Sequence, residues 1–217
     1  MPNSHLDDLT LAEYASSSLG EAQSVFVASH LTLCPDCRRV NQDFEKIGGL
    51  FIHHENDSPL EDGCFDKILD TIESSGESKE LKKQDDILAE LKEIPKPIRD
   101  KLPESLGSIK WKKLGKNISF IELECNQPKT SMKLMKLSAG THIPVHSHGG
   151  REYTMVLSGG FSDQYGRYER GDVAIRDVLE IHEPVVDEDS ECVCFVVTEA
   201  PLKIKGFIGF IISKILG

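Results

Sequence analysis

The sequence predicts an α + β chain of two domains, a small four-helix domain followed by an all-β barrel. Three observations predict it. Apolar residues recur at helical spacing through the first third of the chain, one histidine and two cysteines cluster between two of those helices, and beyond Trp111 the pattern changes to short β-like runs divided by Gly, Pro and Asp. The boundaries expected are 1–73 for the helical domain, 74–94 for a linker and 95–217 for the barrel.

The first helix is expected over residues 8–19, with Asp7 and Asp8 placed to cap it and Gly20 placed to end it. Residues 20–31, GEAQSVFVASHL, read as the second. In the third, Cys37, Val40, Phe44 and Ile47 recur at i, i+3, i+7, i+10, which puts Cys37 on the inner face. The fourth opens near Ser58 and Pro59 or at Asp62, and aligns Phe65, Ile68, Leu69 and Ile72 on one side. Residues 73–86, ESSGESKELKKQDD, hold Leu81 as their one large apolar residue. They bury too little surface to offset ordering entropy and form the solvated linker, so the two domains are expected to be separable in function. Residues 87–94 read as a short helix stopped by Pro95 and Pro97. Strands follow at 118–123, 132–137, 152–157, 173–175 and 192–198; short strands at this spacing indicate a sandwich or barrel.

At 217 residues, with 39% hydrophobic and 28% charged, the chain has a soluble globular composition. A unit of under about 80 residues is weakly held by packing alone and gains from a metal staple. The first residues have neither a basic stretch nor an apolar run, so no secretory signal is expected and the location expected is cytoplasmic. Six cysteines in a reducing compartment then read as metal ligands, buried small residues or redox groups. The run at 207–216, FIGFIISKIL, is about half the roughly 20 residues of a spanning helix and carries Lys214, so no membrane association is expected.

The net charge of −11 is concentrated at one end, because residues 1–86 hold 18 Asp and Glu against 7 Lys and Arg. Phosphate contacts need a basic surface, which argues against direct nucleic-acid binding. A basic protein partner is favoured, with charge acting more on encounter rate than on affinity.

His30, Cys34 and Cys37 form an H-x3-C-x2-C run that gathers one imidazole and two sulfurs within about two helical turns. Pro35 suits the first position of a helix, which puts Cys34 at its N-cap and Cys37 at its third residue, where backbone N–H groups favour thiolate. A closed zinc site takes four ligands. His5 is the best fourth, ahead of Asp36, His53 or His54.

Farther on, Gly140, His146, His148, Glu152 and Gly159 fit G-x5-H-x-H-x3-E-x6-G, the first motif of the cupin barrels. Two histidines at i, i+2 share one face of an extended segment, and the Glu can return from the next strand to complete N,N,O ligation. His182 is the one histidine after His148 and is the expected fourth ligand, although no P-x-G precedes it. Zn, Fe, Mn and Ni all suit such a set. His142 is expected to face outward or to support the ligands. Cys192 and Cys194 share one face of a strand, as ordinary core or as a redox-sensitive pair near the metal. Cys64 and Cys125 suggest only burial.

An early His, the H-x3-C-x2-C knuckle between helices and an acidic four-helix unit resemble the zinc-binding anti-sigma domain. With the cupin motif behind it, the chain resembles the ChrR-type anti-sigma factors. The resemblance implies zinc at His5, His30, Cys34 and Cys37, and tilts the metal at His146, His148, Glu152 and His182 to zinc as well. It also implies a partner, an extracytoplasmic-function (ECF) sigma factor kept from core RNA polymerase by the helical domain, with the cupin controlling release in response to stress such as oxidative stress or singlet oxygen. The alternative is a dioxygenase-like cupin metalloenzyme with an N-terminal regulatory domain. The helical knuckle domain favours the non-enzymatic reading, since such an enzyme has no need of it.

Overall fold

The computed structural model describes residues 1–53, 59–74, 94–102, 111–201 and 203–204. Most of the expected linker, the helix expected at 87–94 except its last residue, and the apolar run at 207–216 lie outside the described residues.

Helix α1 (Asp8–Ala15) starts where the Asp7 side chain accepts the Thr10 N–H at 2.8 Å. It stops well short of Gly20, because Ser17 adopts φ 57° and turns the chain. Helix α2 (Glu21–Leu33) runs into Cys34, whose extended conformation breaks the helix before Pro35 opens α3 (Pro35–His53). The Cys37 N–H points at Cys34 Sγ, 3.4 Å away, as in a sulfur N-cap. Helix α4 (Cys64–Ser74) buries none of its residues. A single turn, α5 (Lys96–Arg99), puts Ile98 into the core beside α2.

The C-terminal part is a β-structure. One six-stranded antiparallel sheet has the order β1 (Lys112–Leu114), β2 (Ile118–Leu123), β3 (Ser131–Leu137), β10 (Cys192–Thr198), β5 (Glu152–Ser158), β8 (Val173–Arg176). A second has the order β7 (Gly166–Glu169), β6 (Gly160–Asp163), β9 (Val185–Val186), and a third pairs β11 (Lys203–Ile204) with β4 (His146–Ser147). The five expected strands are all present. The strands that sequence reading did not anticipate are two to four residues long, too short for alternation to show. Gly159, the last position of the motif, sits at φ 67° with the Glu191 carbonyl oxygen 2.1 Å from where a Cβ would be, so a side chain is excluded there.

The six-stranded sheet is buried on both faces. Met135, Leu137, Cys192, Cys194 and Val196 point into the β-structure, while Met132, Leu134, Phe195 and Val197 point to the helices and share one core with Leu6, Leu11, Phe26 and Val27. Phe26 of α2 stacks on Phe195 at 5.9 Å and tilts against Tyr153 at 5.6 Å. Gln23 donates to Glu199 at 2.8 Å, Gln127 accepts the Ala22 N–H, and Glu21 pairs with Lys101. The solvated linker had suggested two independent bodies; the helical part instead packs on the sheet through a continuous apolar core.

The fourth helix carries the expected apolar stripe, and that stripe faces outward. Phe65, Ile68, Leu69 and Ile72 are 69%, 53%, 40% and 63% exposed, and Ile47, Leu50, Phe51 and Ile52 at the end of α3 are also open. Helical periodicity reports an apolar face and not what covers it.

Candidate metal centres

The first group is assembled from three elements. His5 comes from the segment before α1, His30 from the last turn of α2, and Cys34 and Cys37 from the junction with α3 and its first turn. Their ligand atoms all lie within 4.8 Å of one another. His5 Nδ1 is 3.3 Å from Cys34 Sγ and 3.6 Å from Cys37 Sγ, and His30 Nε2 is 3.3 Å from Cys37 Sγ. His30 and Cys34 are fully buried. Burial holds His30 neutral, pushing it down to about 4, and pushes the Cys37 thiol up to about 11, with the Cys34 sulfur acting the same way and the Leu6 backbone opposing. Two sulfurs and two imidazoles facing one point are a donor set suited to a tetrahedral zinc ion, whose charge would reverse the cost of ionising the thiols. Asp36 and His53 are not part of this group, and His54 lies outside the described residues.

The second group lies inside the β-structure. His146, His148, Glu152 and His182 are all buried and again present ligand atoms within 4.8 Å of one another. The position of His182, doubtful without P-x-G, follows from an antiparallel bridge: His146 N–H donates to the His182 carbonyl at 3.1 Å and His182 N–H returns the bond at 3.0 Å. His146 Nδ1 lies 2.8 Å from the Pro144 carbonyl, and His182 Nδ1 lies 3.0 Å from Asp163 Oδ2. Both acceptors require the proton on Nδ1, so the lone pairs sit on the two Nε2 atoms. These atoms face each other at 2.9 Å. Two lone pairs at that distance repel unless a cation lies between or beside them. His148 has neither ring nitrogen hydrogen-bonded, although both are buried. Glu152 reaches toward His148 Nδ1 at 3.7 Å and His182 Nε2 at 3.8 Å.

Burial pushes His146 down to about 4 and His148 to about 3, and pushes the Glu152 carboxyl up to about 7. Three neutral imidazoles and a carboxylate fit a divalent cation. Sequence reading missed the supports. The Asp163 carboxylate is fully buried, bonds His182, and accepts from Arg176 Nη2 at 2.9 Å; Arg176 also donates to Tyr168 Oη at 2.6 Å. Nothing in the spacing marked Asp163, which reads as a turn residue and does cap a turn through the Tyr165 N–H.

His146, Glu152 and His182 form the polar end of an apolar cavity of about 60 Å³ whose wall includes Met135, Leu137, Phe161, Cys192 and Cys194. The two sulfurs are 3.4 Å apart, and the Cys192 sulfur together with burial holds the Cys194 thiol well above its ordinary range. His142 is exposed and outside the group; Cys64 and Cys125 are part-exposed free thiols.

The family described as the ChrR cupin-like domain matches residues 104–201, which contain all four residues of the second group. The anti-sigma-E factor ChrR of Cereibacter sphaeroides is 29% identical over 204 residues, covering 94% of this chain and 93% of that protein. The chain resembles the ChrR-type anti-sigma factors along nearly its whole length. The crystal structure of Rhodobacter sphaeroides SigE in complex with the anti-sigma ChrR contains a chain that superimposes with a TM-score of 0.73 at 28% identity, over 91% of this chain and 99% of that one. The similarity to ChrR thus spans the helical part as well as the cupin. No helix among the described residues is long and apolar enough to cross a membrane.

Proposed function

We propose that this chain binds and inhibits an ECF sigma factor through its helical domain, residues 1–73, and that the cupin domain, residues 95–217, controls release under stress, with oxidative stress and singlet oxygen as candidate signals. The observation that carries this reading is the uncovered apolar surface of α3 and α4, from Ile47, Leu50, Phe51 and Ile52 to Phe65, Ile68 and Ile72. Soluble proteins seldom leave so many large apolar residues open on two successive helices unless another protein covers them. The ChrR to which the chain is similar is itself an anti-sigma factor seen bound to SigE, which supplies the class of partner. The acidic first part of the chain suits a basic partner surface.

In this reading His5, His30, Cys34 and Cys37 hold zinc, and the ion supplies a cross-link between the N-terminal segment, α2 and α3. His146, His148, Glu152 and His182 hold a second ion, zinc or else Fe, Mn or Ni, that ties β4 and β5 to the loop carrying His182. Cys192 and Cys194 are candidates for a redox-sensitive pair beside it. The protein acts as a regulator in the cytoplasm and not as an enzyme. The uncovered helices favour this reading over a dioxygenase-like one, since they have no use in catalysis within the barrel.

Co-expression of tagged full-length chain with the sigma factors of its host, followed by mass spectrometry, should recover an ECF sigma factor. Phe65→Asp or Ile68→Asp should remove that association while leaving the thermal midpoint of the chain unchanged, because α4 buries none of its residues in the free protein. Association that survives both changes would place the interface elsewhere.

A further inference from the structure

Between the two ligand groups runs one short strand. At its start, Asp172 is almost fully buried, and its side chain accepts backbone N–H groups from the far end of the chain: Oδ1 takes those of Asn3 and, at 2.8 Å, Ser4, while Oδ2 takes that of Glu169 at 2.8 Å. Ser4 Oγ adds a bond to the Val173 carbonyl at 2.7 Å. Pro2 packs on Gly171, which sits at φ 92° with Pro2 Cγ only 2.8 Å from where a Cβ would be. The next residue along, His5, is a ligand of the first group, and the Leu6 backbone contacts the Cys37 sulfur. The Gly171 backbone also meets His30. At the other end of β8, roughly 13 Å away at about 3.3 Å per residue, Arg176 holds Asp163, which holds His182, and pairs in register with Glu152.

We propose that Asp172 is a positioning residue that fixes His5 at the helical metal group and, through β8, makes the lability of that metal depend on whether the cupin group is filled. The N-terminal segment carries no helix or strand before Asp8, so its backbone N–H groups have few other partners. Without Asp172 the segment loses the bonds that set the His5 direction, while Cys34, fixed by the junction of α2 with α3, and Cys37, fixed by α3, stay in place. An empty cupin group frees His182 and Glu152, loosens the hold of Asp163 on Arg176, and so reaches the Asp172 turn at the other end of the same strand. Coupling of this kind needs measured energies and not proximity alone. It rests on the metal-binding reading above.

The test uses the full-length chain loaded with Co(II), whose thiolate charge-transfer absorption reports the helical group, and follows the loss of that band to excess chelator. Asp172→Ala should speed the loss about 10-fold, the lower end of what outer-shell partners of a metal are worth. Asp172→Asn keeps one acceptor oxygen and should fall between the two. His148→Ala and, separately, Glu152→Gln, which empty the cupin group, should speed the loss when Asp172 is present and add nothing in the Asp172→Ala background. A band that decays equally in the unaltered chain and in both Asp172 variants overturns the positioning role. Additive effects in the double variants overturn the coupling. No thiolate band in the unaltered chain removes the metal reading itself, and the proposal with it.

Discussion

At the scale of single residues, side chains that meet a metal are legible by spacing and the side chains that hold them are not. H-x3-C-x2-C and H-x-H-x3-E are local patterns; His182 joined the second as the one histidine after His148, and His5 joined the first ahead of Asp36, His53 and His54 with the support of the family resemblance. Asp163 acts on His182 from 19 residues away and Asp172 on Ser4 from 168, distances at which a sequence carries no mark of contact. Asp163→Asn should therefore weaken metal binding at the cupin group by about 10- to 100-fold, measured by competition with a chromogenic chelator, with a smaller loss at the thiolate group, which it reaches only through β8; equal losses at both would mean general unfolding. The buried imidazoles also set a pH dependence. His30, His146 and His148 have folded-state values pushed down to about 4, 4 and 3, against 6.5 in the unfolded chain. The unfolded chain binds the extra protons, so their contribution is whole above pH 6.5 and is lost as pH falls toward 3 to 4. Glu152, raised to about 7 from 4.5, works oppositely: its contribution is whole below pH 4.5 and gone above 7. The metal-free chain should thus lose stability in urea titrations as pH drops from 6.5 to 5, and a flat profile would show that the imidazoles are hydrated there.

Among the elements, the longer strands were read almost to the residue, because both faces of their sheet are buried and each stands out as an apolar-rich run between polar turns. Helix α4 was legible as an amphipathic helix, but what covers its apolar side was not. An amphipathic stripe looks the same whether its cover is the same chain or another, and the difference lies in a partner that the sequence does not contain. Amide exchange should separate the two cases: α4 should exchange fast in the free chain and slow once the sigma factor is bound, whereas α2 should be protected in both. Helix α2 owes that protection to the sheet. Phe26→Ala should cost about 3 to 5 kcal/mol in chemical denaturation, since its ring lies between Phe195 and Tyr153 with no exposure. A loss under 1 kcal/mol would mean that the shared core contributes little to holding the helices.

For the whole molecule, the question is what the cupin gives the helical domain. The charge asymmetry and polar linker suggested that residues 1–86 could act alone, and two features of the structure support half of that expectation. The fragment retains His5, His30, Cys34 and Cys37, and it retains the open faces of α3 and α4. It loses the cover on Phe26 and Pro2, and the Asp172 bonds to the N-terminal segment. Exposing one buried Phe alone forfeits roughly 1.5 to 3 kcal/mol, a large part of the stability of so small a domain. The metal-loaded fragment should therefore bind the sigma factor with an on-rate that falls with salt as the full chain's does, since the −11 on residues 1–86 is unchanged and is screened beyond about 10 Å at 0.1 M salt. Its thermal midpoint should be lower than that of the same helices in the full chain, and it should bind more of a hydrophobic dye than the full chain does, because the face around Phe26 adds to the open faces of α3 and α4. Equal midpoints would mean that the interdomain core is energetically idle, leaving the cupin no mechanical hold on the helices. A folded, metal-loaded fragment that fails to bind would mean that the cupin forms part of the sigma-binding surface, and release would then follow from its displacement and not from any change within the helical domain.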